Sequence, residues 1–267
     1  MKLTIITINL NNRDGLRRTL ESVVGQTCQD FEYVVIDGGS TDGSREVIME
    51  HQERLAYWCS EPDRGIYNAM NKGVAHATGD YCLFLNSGDY LYNKDVVKEV
   101  LPELDGRFDI VYGRIKIEDS YGNVAFPKKE YKHDANAILL IKISISHQSI
   151  FFKREIIGNN PYDENYQVIA DKKLLYECYF NQNCTFHHIP TVISVFKLGG
   201  VSGTQACKDE IDALNIKTFP KRLVDDISLL DPELLYLWGQ IPTSYRFRQI
   251  LIFTLALLIK AYKCLKK

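Results

Sequence analysis

The chain has 267 residues, with 32 Lys and Arg against 34 Asp and Glu, a formal charge of −2. Hydrophobic residues make up 45% and charged residues 25%, which excludes a mainly disordered, collagenous or coiled-coil chain. There is no overall positive field to hold nucleic acid, and no run of 18 apolar residues to mark an ordinary membrane span. The cysteines Cys28, Cys59, Cys82, Cys178, Cys184, Cys207 and Cys264 are scattered without a C-x-x-C pair, which argues against a zinc or dithiol motif. Met1–Leu10 lacks the charge pattern and cleavage site of a secretory leader, so the expectation is a reducing, cytoplasmic setting.

The first half alternates strand and helix. Leu3–Ile8 is an apolar β-branched run, and Gly15–Val24 carries apolar residues at helical spacing. Glu32–Ile36, Leu55–Cys59 and Tyr81–Leu85 follow as strands. Ser44–His51, Tyr67–His76 and Asp95–Leu101 are the intervening helices, and Ile110–Tyr112 is a further strand. This rhythm predicts βαβ units and a mostly parallel α/β sheet flanked by helices. Ligands of such sheets sit beyond the carboxyl ends of the strands. From Arg114 the rhythm changes. A hairpin is expected over Arg114–Phe126, a strand at Ser149–Phe152, a helix within Ile169–Phe180 and a strand at Thr191–Phe196. The stretch from Lys197 to Gly203 is glycine-rich, and beyond about Lys217 the pattern is helical.

Three strand-end segments carry chemistry. Asp37-Gly38-Gly39-Ser40 fails the G-x-G-x-x-G dinucleotide pattern, because Ser40 stands where its second glycine would be needed. Asp37 is placed to accept a hydrogen bond from a ligand such as a uracil imide, or to organise the turn. Asn86-Ser87-Gly88-Asp89 clusters oxygen donors that suit a hard cation completed by phosphate oxygens, or a simple turn. Asp171 precedes the apolar pattern of Leu174, Leu175 and Cys178, so it is a general base or a helix cap. Taken singly, each segment favours the plainer role.

Taken in order, the segments say more. Ile5–Asn12, Asp37–Gly43, Glu61–Gly73 and Leu85–Asp89 together resemble glycosyltransferase family 2, in its bacterial surface-polysaccharide branch of colanic-acid-type transferases. The resemblance is strong over residues 1–92 and weaker to about 205. It implies a GT-A fold over residues 1–216, with a nucleotide-sugar half (1–112) and an acceptor half (113–216), followed by a helical extension (217–267). It also implies an inverting transfer from a nucleotide sugar, UDP-sugar favoured, to a glycan or polyprenyl-linked acceptor, with Mn²⁺ or Mg²⁺ as cofactor. By the match, Thr7, Asn9, Asp37, Arg64, Gly65, Asn71, Asn86, Gly199, Gly200 and Ser202 serve the donor. Asp89 holds the metal, His147 and Gln148 face the acceptor, and Asp171 is the catalytic base. The family's D-x-D-D position departs from pattern here: Asn86 and Gly88 replace two carboxylates, and only Asp89 remains.

Two other readings compete. A nucleotidyltransferase would show a glycine-rich basic loop after the first strand, where this chain has Asn9-Leu10-Asn11-Asn12. A degenerate sugar-nucleotide binding protein draws support from the missing carboxylates alone. In the tail, eleven uncharged residues lie between Arg248 and Lys260, flanked by Arg246, Lys263, Lys266 and Lys267. As a helix they extend about 16 Å, too short to span a bilayer. The expectation for residues 245–267 is a helix in the inner membrane interface, against packing on the enzyme or in a homodimer.

Overall fold

In the computed structural model, which describes residues 3–127, 134–142, 144–200 and 204–229, the chain alternates as its patterning predicts. β1 (Leu3–Asn9), α1 (Arg13–Val24), β2 (Glu32–Asp37), α2 (Ser44–Glu50), β3 (Tyr57–Ser60), α3 (Ile66–Ala75) and β4 (Tyr81–Phe84) come first. β5 (Tyr90–Leu91), α4 (Val96–Val100), β6 (Ile110–Glu118), β7 (Val124–Ala125), α5 (Ala137–Lys142), β8 (Ile150–Lys153) and α6 (Arg154–Ile157) follow. α7 (Ala170–Tyr176), β9 (Phe186–Lys197), α8 (Gln205–Thr218) and α9 (Lys221–Ser228) complete the described residues. β1 to β4 are mutually parallel, in the order β3-β2-β1-β4. The sheet then continues through β8, β6, β9 and β5, with β8 antiparallel to both β4 and β6, and β7 pairing β6.

Burial explains the parallel half. Strand side chains alternate between faces, and a sheet covered on both sides needs apolar residues at every position. Leu3, Ile5, Tyr33, Val35, Tyr81 and Leu83 pack on one face with Leu16 and Leu20 of α1 and Val47 of α2. Ile6, Ile8, Val34, Ile36, Cys82 and Phe84 pack on the other with Met70 and Val74 of α3. α3 sits close because residue 73 is glycine: a Cβ there would lie 2.4 Å from Cγ2 of Ile6.

The later elements differ more from expectation. β6 runs to Glu118, well past Tyr112, because it continues straight into the β6–β7 hairpin. It therefore crosses residue 112, and one sheet joins the two expected halves. β9 starts at Phe186 and not Thr191, pairing with β6 along most of its length. β3 is displaced to Tyr57–Ser60 because Gln52–Arg54 close a 3₁₀ turn first. Helix begins at Gln205, before the expected Lys217. The tail 245–267 lies outside the described residues, and among those described no helix is long and apolar enough to cross a membrane.

Candidate active site

The strand order reverses its direction of growth between β1 and β4, and open α/β sheets bind ligands in the crevice this creates. A cavity of about 840 Å³ opens there. Asn9 and Leu10 from the end of β1 and the Asn86–Asp89 turn after β4 form its floor. Asp63, Gly65, Ile66 and Tyr67 form one wall. His147, Gln148, Asp171, Lys172 and the Phe196–Gly200 segment form another.

The turn after β4 is tightly held. Gly88 takes φ 103°, a conformation that disfavours any side chain, so the carboxylate missing at this position could not be added without strain. Asn12 Nδ2 donates to the Ser87 carbonyl at 3.0 Å. The Asp89 carboxylate is 6% exposed and accepts from Gln148 Nε2 at 2.8 Å and from the Lys197 backbone N–H at 3.0 Å. Burial raises the Asp89 pKa above the usual carboxylate range, and the bonds from Gln148 and Lys197 and the nearby His147 offset this only in part.

His147 bridges the turn to the head of α7. Its Nε2 is 3.2 Å from Asn86 Nδ2, and its Nδ1 is 3.3 Å from Asp171 Oδ2. Asp171 is the second residue of α7 rather than its cap, and its other oxygen accepts the Lys172 backbone N–H at 2.8 Å. The Asp171 side chain keeps 23% of its surface open. Lys172 turns inward, donating from Nζ to the carbonyls of Leu140 (3.0 Å) and Ile141 (3.3 Å). Burial lowers its pKa to about 8, against the opposing pull of Asp171.

Four residues expected at the donor have partners within the protein and are not part of the cavity lining. Thr7 is fully buried, and its hydroxyl pairs with Tyr33 Oη (2.9 Å) and the Leu85 carbonyl (2.8 Å), away from the cavity. Asp37 is also fully buried. Its oxygens accept from Asn9 Nδ2 (2.7 Å), Ser40 Oγ, the Ser40 N–H (2.9 Å) and Ser60 Oγ (2.6 Å). Burial pushes the Asp37 pKa up, but these bonds outweigh it and hold the group below the usual range. With four donors in place, the carboxylate organises the turn. Asn71 locks its amide onto the Tyr162 backbone at 2.8 and 2.9 Å. The Arg64 side chain is 77% exposed and pairs with Glu164 at 2.8 Å.

The other expected residues fare differently. Asn9, Gly65, Asn86, Asp89, His147, Gln148, Asp171, Gly199 and Gly200 line the cavity. Ser202 lies outside the described residues. Asp63 and Tyr67, which sequence reasoning passed over, line it too. Asp63 bonds the Gly65 N–H at 2.9 Å, and its place before an Arg-Gly turn was the available signal. Among the described residues no group of three or more His, Cys, Asp or Glu side chains gathers as a ready-made metal cage. Among the described residues, the buried polar atoms without a hydrogen-bond partner include Oδ1 of Asn9 and Oδ1 of Asn86, both of residues on the cavity floor.

The chain is similar to known proteins in sequence and in fold. The family model "Glycosyl transferase family 2" matches residues 4–196. A "PGL/p-HBAD biosynthesis glycosyltransferase" of Mycobacterium tuberculosis is 33% identical over 226 residues, covering 80% of this chain and 84% of that one. The crystal structure of S. aureus TarS in complex with UDP-GlcNAc aligns with TM-score 0.62 at 19% identity, over 78% of this chain and 61% of that one. The mannosyltransferase PcManGT of Pyrobaculum calidifontis, in complex with GDP-Man and Mn²⁺, aligns with TM-score 0.60 at 18% identity, over 82% and 65%. The chain thus spans about three fifths of the length of these structural neighbours, which share its GT-A-like fold. With the family model covering most of the chain, the protein is a glycosyltransferase and belongs to glycosyl transferase family 2.

Proposed function

We infer that this enzyme moves a sugar, with inversion, from a nucleotide-diphosphate sugar to a hydroxyl of a glycan or lipid-linked acceptor in surface-polysaccharide synthesis. Asp171 is the general base. The observation that carries this reading is a partly open carboxylate at the head of α7, sharing one cavity with the Asn86–Asp89 turn and linked to it through His147. An acceptor hydroxyl at Asp171 would give up its proton as its oxygen attacks the anomeric carbon. The nucleoside diphosphate then leaves on the side of the Asn86–Asp89 turn. Asn9 and Asp63 offer acceptors to the nucleoside, and Gly199 and Gly200 bring backbone close to the diphosphate. UDP is the favoured carrier, supported by the UDP-GlcNAc held by a structural neighbour.

A divalent cation fits the turn. Asp89 supplies one carboxylate and the unpartnered Oδ1 of Asn86 a second oxygen. A hard cation accepts such a sparse protein set when phosphate and water complete its shell. Bound there, Mn²⁺ or Mg²⁺ would neutralise charge on the departing diphosphate.

The test is Asp171→Asn, assayed by nucleotide release from a panel of nucleotide sugars with acceptor-bearing membranes. Turnover should fall by about 10²–10⁴-fold, the usual worth of a general base. UDP affinity by calorimetry should stay within twofold. Near-normal turnover would remove Asp171 from the chemistry.

A further inference from the structure

The family match ends at residue 196, yet the cavity does not. α8, beyond that limit, contributes Cys207 and Ile211 to the cavity wall. It is fastened to α7 at both ends. Tyr176 Oη donates to Asn215 Oδ1 at 2.9 Å, and Leu214 and Cys207 are buried in the core shared with Leu174 and Leu175. At the other end, the Glu210 carboxylate accepts three successive backbone N–H groups, those of Gln167 (2.8 Å), Val168 (2.9 Å) and Ile169 (3.2 Å).

These three groups need a partner from elsewhere. They stand at the entry to α7, where no carbonyl four residues earlier can accept within the helix. The residue in the capping position is Ile169, whose side chain has no acceptor, and α7 has no side-chain cap of its own. Tyr67, on α3, lines the same cavity as Asp171. The backbone leading into Asp171 is therefore set from outside α7, by α8. A carboxylate is also the favourable charge at a helix entry.

We propose that α8 belongs to the catalytic unit and that Glu210 is the positioning residue for Asp171. This rests on the reading of Asp171 as the base. Glu210 is not among the residues that line the cavity. It fixes the 167–169 backbone, which fixes where the Asp171 carboxylate meets His147 and the incoming hydroxyl. Displacement of a reacting group by about 1 Å can cost about 10²-fold in rate.

The experiment compares Glu210→Ala and Glu210→Gln with Asp171→Ala in the full chain. Amide hydrogen exchange reads the 167–169 backbone. The imidazole ¹⁵N resonances of His147, assigned with His147→Gln, read its contact with Asp171. Calorimetry with UDP reads the donor side. The expected result for Glu210→Ala is exchange at 167–169 faster by about tenfold or more, a His147 signal shifted to that of Asp171→Ala, and UDP affinity within twofold of the parent. Glu210→Gln keeps a carbonyl acceptor and should restore most of the parent His147 signal. With a donor that turns over, kcat falls by about tenfold or more while the donor KM holds. An unchanged His147 signal in Glu210→Ala overturns the proposal. So does a loss of UDP affinity and melting temperature that Glu210→Gln does not rescue, since that is general unfolding. Failure of the base assignment shows separately, as full turnover in Asp171→Asn.

Discussion

The loop after β2 and the head of α7 each present an aspartate beside a turn, and the surroundings treat the two in opposite ways. Asp37 receives four hydrogen bonds from Asn9, Ser40 and Ser60 and has no exposed surface. Asp171 receives one backbone N–H, faces His147 at 3.3 Å and keeps part of its surface open to the cavity. At the α7 entry the Glu210 carboxylate takes the N–H groups of residues 167–169, which leaves Asp171 with a single backbone bond. A carboxylate is available for chemistry when another group has already satisfied the local backbone. Counting donors around Asp37 and Asp171 distinguishes the aspartate committed to its turn from the one that still faces the cavity.

That contrast can be broken by mutation. Beyond the loss of turnover at Asp171, the largest effect is expected at Asp37. Asp37→Ala strands the Asn9, Ser40 and Ser60 donors, and a stranded buried group costs about 1–3 kcal/mol. Urea unfolding should therefore show a loss of about 3 kcal/mol. A second signature comes from pH. The folded pKa of Asp37 is depressed, so its contribution is present above the unfolded carboxylate value of about 3.9 and fades as pH falls through the lower folded value. Asp37→Asn should flatten that acid limb of the stability curve. A stable Asp37→Ala with weakened UDP binding would reverse the contrast and return Asp37 to the donor site.

Asp89 sharpens the comparison with a smaller, two-signed effect. Its pKa is raised by burial, so ionisation costs stability, and the cost appears as pH rises through the unfolded and then the folded value. At neutral pH Asp89→Asn should stabilise the ligand-free enzyme, raising Tm by about 2–4 °C for about 1 kcal/mol. Asn can keep the Lys197 N–H bond while Gln148 turns its amide to match. The same substitution should weaken UDP binding in Mn²⁺ and leave it nearly unchanged in EDTA. Destabilisation with equal loss in both conditions would put Asp89 in the structural class beside Asp37.

The smallest effect is expected at Arg64. Its ion pair with Glu164 is open to solvent on the arginine side, and such pairs contribute at most about 1 kcal/mol. Arg64→Ala should change urea stability by less than that and leave UDP affinity within twofold. A larger loss of UDP binding would mean the guanidinium swings from Glu164 into the cavity when nucleotide arrives.

The sequence by itself determined the parallel half of the sheet and the neighbourhood of the site. Its apolar β-branched runs and helical spacings are local patterns, and burying both faces of a parallel sheet demands them. The segments at Asn86–Asp89 and Asp171 could be singled out as short polar runs at a strand end and a helix head, whereas Asn9 and His147 came from the resemblance to glycosyltransferase family 2. Tertiary structure alone decided which carboxylates were free. Asp37 is saturated by Asn9 and Ser60, which lie on neighbouring strands in the register Asn9↔Asp37 and Asp37↔Ser60. Thr7 and Asn71 turn away because Tyr33, Leu85 and Tyr162, distant in the chain, reach them first. Glu210 carries no motif. It matters only because α8 folds back across about forty residues to meet the N–H groups that precede Asp171. Hydrogen-bond saturation depends on long-range neighbours, and no local spacing encodes them.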